Sequence, residues 1–420
     1  MAGGFRSPFF PLGLSSAPAP VVAPEAETEA LVIPTSWRQL GLSVLYGDSV
    51  CLSGRNPSIG SLSEKIESYT HEVRAIGGFY SASVTFKASP YEIKDWLQDG
   101  IGRSIAVYDQ AGETIWEGFV DKITSTIENV QITRGPLISA DVANRVKIRY
   151  SVADFSLSPP AVGVTLTSAT ANNTTSQAKY GIIEKVMGLN QATETLALQV
   201  RNSWLREHAY PQSSITSSYA SNSEPSITLE CLGYWHYLNT WLYFSSSTLE
   251  SDLSDKLQDV LDSSPNSGLF SDNYGYIESN ATQVKNNETE DRTALAIISE
   301  MSALSDGSNN KYNAGVLEDR TFYYQTVPEQ IAYYQEAGAI IKSAMRTFVL
   351  PWRVRPGNWI YYSGLMDDTG SIATLDDLYK NPTVAFIESV SFSSPFEVSI
   401  TTQRLSKLDS LFARMGITGV

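Results

Sequence analysis

The stretch Asp109-Gln110-Ala111-Gly112-Glu113-Thr114-Ile115-Trp116-Glu117-Gly118-Phe119-Val120-Asp121-Lys122-Ile123 reads as a β-hairpin, with apolar residues alternating along its second strand. The pattern continues on either side of it. Ile101 to Asp109 and Tyr80-Ser81-Ala82-Ser83-Val84-Thr85-Phe86 are strand-like, and Gly54-Arg55-Asn56-Pro57 and Gly77-Gly78 mark turns. One helix interrupts the strands. It opens at Ser89-Pro90, a capping residue followed by Pro at the first helical position, and runs through Trp96-Leu97. With Arg145-Val146-Lys147-Ile148-Arg149-Tyr150 expected as the closing strand, the region from Trp37 to about Tyr150 reads as a small antiparallel barrel or sandwich.

The reading changes after Pro159-Pro160. Tyr180 to Val186 forms a short helix or strand, and Ala192 to His208 carries Leu196, Val200 and Leu205 at the spacing of an amphipathic helix that stops before Pro211. Ser226 to Tyr237 alternates as a strand does. Two more helices are expected: Leu249 to Leu261, capped by Ser246-Ser247-Thr248, and Asp291 to Leu304, with Leu295, Ile298 and Met301 on one face. Lys311 to Gln325 reads as two strands around a turn at Leu317-Glu318-Asp319-Arg320. Strands return at Phe348 to Trp352, Asn358 to Tyr362 and Thr383 to Phe392, and a helix from Ser406 to Met415 closes the chain, with Gly416 as its C-cap.

Composition limits the function classes. A chain of 420 residues exceeds what one core usually supports, so several domains are expected. Lys and Arg number 30 against 45 Asp and Glu, a net charge of −15, and nothing reaches the basic run that phosphate neutralisation requires. No apolar stretch approaches the roughly 20 residues of a membrane helix. The two cysteines, Cys51 and Cys231, cannot build a disulfide framework or a four-ligand zinc site, and read as separate reduced thiols in different domains. The three histidines, His71, His208 and His236, leave little material for imidazole chemistry.

No G-x-S-x-G elbow, P-loop or dinucleotide fingerprint occurs, and no catalytic set, cofactor site or metal site is expected. Glu288, Glu290 and Asp291 form the most crowded acidic cluster. Paired carboxylates could serve a glycosidase, but acidic residues in a first helical turn complement the helix dipole, and that is the reading adopted. Asp367-Asp368 and Asp376-Asp377 lack EF-hand spacing and read as solvated loop charge. The aromatic clusters Tyr234-Trp235-His236-Tyr237 with Trp241, Tyr243 and Phe244, and Tyr323-Tyr324 with Tyr333-Tyr334, read as core and interface anchors, with a sugar-stacking platform as the alternative. Asn172, Asn173, Asn280 and Asn287 match N-x-[ST], a match of little weight without a secretory signal.

Residues 1–36 stand apart. Phe5, Phe9, Phe10, Leu12 and Leu14 form a short apolar anchor broken by Pro8 and Pro11, and an Ala/Pro spacer leads to Glu25, Glu27 and Glu29. The prolines exclude a signal-peptide core and favour an extended arm, whose five apolar residues are expected to dock on a partner.

The runs Tyr180-Gly181-Ile182-Ile183-Glu184, Gly233-Tyr234-Trp235, Gly315-Val316-Leu317-Glu318-Asp319-Arg320 with Tyr323-Tyr324, Pro351-Trp352-Arg353-Val354-Arg355-Pro356-Gly357-Asn358-Trp359 and Phe386-Ile387-Glu388-Ser389-Val390 resemble those of minor tail proteins of tailed bacteriophages, the tail-tip or baseplate-hub class. The resemblance covers roughly residues 40–420 and brings no catalytic signature. It implies a strand-rich α+β fold, with tail-tube-like β-barrel domains at both ends and an α+β middle region. The expected division is an arm over 1–36, a first barrel over 37–156, a connecting domain over 157–245, a helix-plus-hairpin domain over 246–342, and a second β domain with a C-terminal helix over 343–420. It also implies a non-enzymatic virion protein at the tail tip that forms a closed homo-oligomer, a trimer as hub or a hexamer as distal tail ring. Its partners would be the tail tube protein and other tail-tip proteins, with DNA passing through without specific binding and no membrane span. A carbohydrate-binding adhesion module and a tail-associated hydrolase using Glu288 or Glu290 are the alternatives.

Overall fold

A computed structural model describes residues 49–53, 66–108, 114–154, 161–217, 223–245, 249–266, 269–270, 274–285, 288–308, 310–328, 330–336, 339–342, 347–362, 384–393 and 397–403. The arm with Phe5, Phe9, Phe10, Leu12 and Leu14, the loop 109–113, Ser246-Ser247-Thr248, Asp367-Asp368, Asp376-Asp377 and the expected helix at Ser406 to Met415 lie outside the described residues.

Alternation with a period of two builds the central sheet. In the strand Gly77–Lys87, Ala82, Val84 and Phe86 are buried while Ser81, Ser83 and Thr85 face the other side. In Ile66–Arg74 the buried set is Tyr69, His71 and Val73. The sheet runs in the order Ser49–Ser53, Ser104–Tyr108, Thr114–Glu128, Ser223–Leu232, Gly77–Lys87, Ile66–Arg74, Val384–Ser393, Trp359–Tyr362, Ile331–Glu336, Ala339–Lys342, Thr347–Val349. The hairpin at the start of the reading is present, with Ser104–Tyr108 antiparallel to Thr114–Glu128.

Strands from both ends of the described chain therefore share one sheet, with Thr70 opposite Ser393 and Val73 opposite Val390. Among the described residues the path is open, and no hydrogen bonds join its first strand to its last. The fold is strand-rich and mixed α+β.

Several expectations change. The strand Arg145–Asp154 does not close the first unit. It belongs to a separate four-stranded sheet, parallel to Glu184–Leu189 and antiparallel to Ala161–Thr167 and Ala171–Asn172. The helix Glu194–His208 covers that sheet, and Ile148, Tyr150, Ala192 and Ala197 make their joint core. Leu196 is 47% exposed, so the face this helix buries is centred on Ala197 and Leu205 instead. The alternation of Ser226 to Tyr237 overruns a stop at Gly233. A Cβ there would fall 1.6 Å from the Phe79 carbonyl oxygen, and Tyr234–Asn239 turns into a 3-10 helix. Asp252, not the Ser246-Ser247-Thr248 run, precedes the helix Leu253–Asp262.

Other elements follow local chemistry as read. The helix Pro90–Asp99 starts in a capping box: the Glu92 N–H donates to Ser89 Oγ, and the Ser89 N–H donates to the Glu92 carboxylate. Tyr312–Val316 and Phe322–Thr326 form the expected hairpin. Val316 passes so close to Gly78 that a Cβ there would sit 2.2 Å from the Val316 carbonyl oxygen, at a φ of +71°. Beneath the sheet, Trp116, Tyr237, Leu238 and Trp241 join Leu257, Val260, Ile297 and Ile298 of two helices in one large core.

Candidate interaction surfaces and a buried ion cluster

The acidic cluster does not lie in a first helical turn. Glu288–Thr293 is a strand paired with Leu242–Ser245, and the helix Ala294–Ala303 begins only after it, with Thr293 Oγ1 accepting from the Ala296 N–H at 3.2 Å. The helix-dipole reading is thereby corrected: backbone pairing with Leu242 and Tyr243 holds Arg292 and Thr293 extended. Glu288 is buried, its Oε1 3.5 Å from Lys256 Nζ and its Oε2 3.4 Å from Arg292 Nη1. Lys256 Nζ also lies 4.5 Å from the centre of the Tyr243 ring, and Arg292 pairs further with Glu300. Burial pulls the Lys256 ammonium pKa down, against the pull of Glu288. Burial and the hydrogen bond to Asp259 push the Tyr243 phenol up to about 12. With both carboxylate oxygens in ion pairs, Glu288 ties its strand to Lys256 of the helix Leu253–Asp262, while Arg292 of the same strand reaches on to Glu300 of the helix Ala294–Ala303.

The aromatic clusters are largely interior. Tyr234, Trp235, Tyr237, Trp241, Tyr243, Tyr324 and Tyr333 are buried, and Phe244 is exposed. Tyr234 donates to Ser104 Oγ at 2.9 Å, and Phe119 packs against both Tyr234 and Tyr237. Apart from Phe244, the described rings of these clusters fill the core. The histidines are dispersed. Burial, then the charge of Arg355, takes His71 down to about 3, and burial foremost takes His236 to about 4. His208 stacks on Trp204 at 4.5 Å. Asn280 is buried and Asn173 caps a helix, so neither acceptor motif sits on an open loop. Among the described residues no three His, Cys, Asp or Glu side chains gather as a metal would require, and no helix is long and apolar enough to cross a membrane.

Two surfaces stand out instead. The polar side of the central sheet forms an open groove of about 610 Å³ lined by Thr70, Glu72, Ser81, Ser83, Ser391 and Ser393 among others. Register creates it: Ser393, Thr70, Ser83 and Glu230 fall in one row across four strands. No Lys or Arg lines it among the described residues, and two of its carboxylates, Glu230 and Glu72, are paired with cations outside the lining, Lys122 at 2.7 Å and Arg74 at 2.8 Å. The second surface is a set of uncovered strand edges. Among the described residues Ser213–Ser217 pairs only with Val130–Arg134; it is exposed along its length, carries no charge and presents Ile215 at 71% exposure. Ala161–Thr167 is an uncharged edge of the smaller sheet with Val164 at 74%. Sequence reading anticipated neither edge strand, Ala161–Thr167 nor Ser213–Ser217, although the alternating Ser81, Ser83 and Thr85 already signalled a polar face on the central sheet.

Compared with known proteins, the chain matches no family model and no curated sequence.

Proposed function

We propose that the chain is a structural virion subunit of a bacteriophage tail tip, a hub or distal tail ring whose copies close around the genome channel and join tube to tip. The observation that carries this reading is the edge Ser213–Ser217. Exposed edge strands in monomeric proteins are blunted by charge, proline or a covering element; Ser213–Ser217 holds no charged residue or proline, and no described residue covers it. Unpaired N–H and C=O groups on such an edge are best satisfied by a neighbouring copy, and head-to-tail pairing of unlike edges forms a ring where the rotation between copies closes.

In this reading the tube-like barrel character at the two ends of the chain is completed between copies. The hydroxyl-rich groove from Thr70 to Ser393 supplies wall surface of the kind a channel needs, because adhesion to DNA phosphates requires cations and none lines the groove among the described residues. The arm residues Phe5, Phe9, Phe10, Leu12 and Leu14 dock on an adjacent subunit or tail protein. The subunit performs no catalysis. The test is light scattering on the full chain and on Ile215→Lys. Three or six copies are expected for the parent and loss of assembly for the variant, with an unchanged melting temperature. A monomer at high concentration that is also missing from tails would overturn the reading.

A further inference from the structure

The edge at Ser213–Ser217 has a definite hydrogen-bonding phase. Beside it the Gly135 N–H donates to the Gln212 carbonyl at 3.0 Å, and bonded and non-bonded pairs alternate along an antiparallel ladder. Ser213, Ile215 and Ser217 therefore meet Arg134, Ile132 and Val130 in non-bonded pairs and turn their own N–H and C=O groups outward, where no described strand receives them. The Ile215 side chain lies on the same face of the sheet as that of Ile132, its opposite number.

That face is apolar and only partly covered. The helix Pro90–Asp99 packs on it and leaves a groove of about 430 Å³ whose lining includes Ile93, Leu97, Ile127, Ile132 and Ser213. Val130 stands opposite Ile127 and is 36% exposed, so the apolar strip runs from the helix out to Ile215 at the edge. An antiparallel strand added there would form bonded pairs with Ser213, Ile215 and Ser217, and the residues making those pairs would share the Ile215 face. A segment that fits must therefore be extended, carry apolar side chains at every second position, and offer its N–H groups from those same positions.

We propose that residues 10–14 of a neighbouring copy add to this edge as an antiparallel strand and seat Phe10, Leu12 and Leu14 along the groove. The proposal rests on the reading of the chain as a self-assembling subunit and gives its apolar arm a receptor. In Phe10-Pro11-Leu12-Gly13-Leu14 the apolar residues alternate with Pro11 and Gly13. Pro11 has no N–H to donate, so the register that satisfies the edge is the one in which Phe10, Leu12 and Leu14 make the bonded pairs, with Leu12 opposite Ile215. That register also turns the three apolar side chains toward the groove. It leaves Pro11 on the new outer edge, where a proline blocks a further strand. Residues 15–48 join this anchor to the strand Ser49–Ser53. Pro18, Pro20, Pro24 and Pro34 and the mutual repulsion of Glu25, Glu27 and Glu29 favour an extended spacer, which at about 3.1 Å per residue spans on the order of 100 Å. Such a spacer holds the anchor away from its own body and within reach of the next copy.

The experiment is oxidative cross-linking of full-length cysteine variants on non-reducing gels, beside each single variant and the parent, whose Cys51 and Cys231 set the background. Co-expressed Leu12→Cys and Ile215→Cys chains can join these two positions only between copies. They are expected to give a new covalent dimer, because a bonded antiparallel pair brings its Cα atoms within disulfide range. Gly13→Cys with Ile215→Cys should give none, since position 13 faces away from the groove. No dimer above background with Leu12→Cys, or as much with Gly13→Cys, would overturn the strand pairing. A bond within one chain of the double variant Leu12→Cys/Ile215→Cys, with none between co-expressed chains, would return the arm to its own copy and overturn the proposal. Light scattering separates it from the ring reading. Three or six copies without the cross-link would leave the ring standing and sink the docking, whereas the cross-link in open-ended oligomers would support the docking and sink the ring.

Discussion

Nζ of Lys256 lies 3.5 Å from Oε1 of Glu288, and the lysine side chain has no exposed surface. Removing one member of a buried pair strands the other, at a cost of about 3 to 5 kcal/mol, while replacing both with apolar residues is often close to neutral. Glu288→Ala is therefore expected to lower stability by that amount. The double variant Lys256→Met/Glu288→Leu should cost less than Glu288→Ala alone, since Arg292 retains Glu300. Urea unfolding of the three proteins checks this, and a double variant worse than the single one would show that the pair is not the source of the loss.

Asp121 and His71 should drive stability in opposite directions with pH. Burial raises the Asp121 carboxyl from 3.8 to about 6, against the backbone N–H groups of Ile138 and Leu137, which donate to it at 2.7 and 2.9 Å. The folded state then holds the extra proton between those values, so this contribution is present below about pH 4 and lost as pH rises through 6. His71 is lowered from 6.5 to about 3, so the unfolded state holds the extra proton and stability is lost as pH falls below 6.5. Asp121→Asn keeps an acceptor oxygen and should gain on the parent by about 2 to 3 kcal/mol between pH 4 and 7. His71→Phe should gain on the parent as pH falls from 6.5. Parallel curves for parent and variant in either case would refute the assignment.

Cys51 and Cys231 share the central sheet, three strand steps apart along Ser49–Ser53, Ser104–Tyr108, Thr114–Glu128 and Ser223–Leu232. At about 4.8 Å per step the backbones are roughly 14 Å apart, twice what a disulfide allows. The expectation of separate reduced thiols thus has a geometric basis within one sheet, where different domains had been its reason. Cys231 is buried, and burial pushes its thiol pKa up. It should resist a thiol reagent until the protein unfolds, and rapid labelling under native conditions would contradict that placement.

Ser89→Ala removes the side-chain half of the capping box and should cost about 1 kcal/mol. Thermal melts of the parent and the variant measure it, and an unchanged melting temperature would deny the cap its role. This cap also marks what the sequence made legible. Ser89, Pro90 and Glu92 sit within one turn, so the helix start follows from neighbours alone. The hairpins at Ser104–Glu128 and Tyr312–Thr326 were readable for the same reason. Long-range pairing was not. Nothing near Arg145–Asp154 tells it to leave the first unit for Glu184–Leu189, and nothing near Thr70 announces Ser393 across the groove. The acidic residues from Glu288 looked helical because the strand they occupy is specified by Leu242 and Tyr243, distant in sequence.

Negative-stain imaging of the purified full chain tests the central claim most directly. The account predicts closed rings of three- or sixfold symmetry with an open centre, disrupted by Ile215→Lys at the exposed edge. Fields of single compact particles at every concentration, unchanged by that substitution, would contradict it.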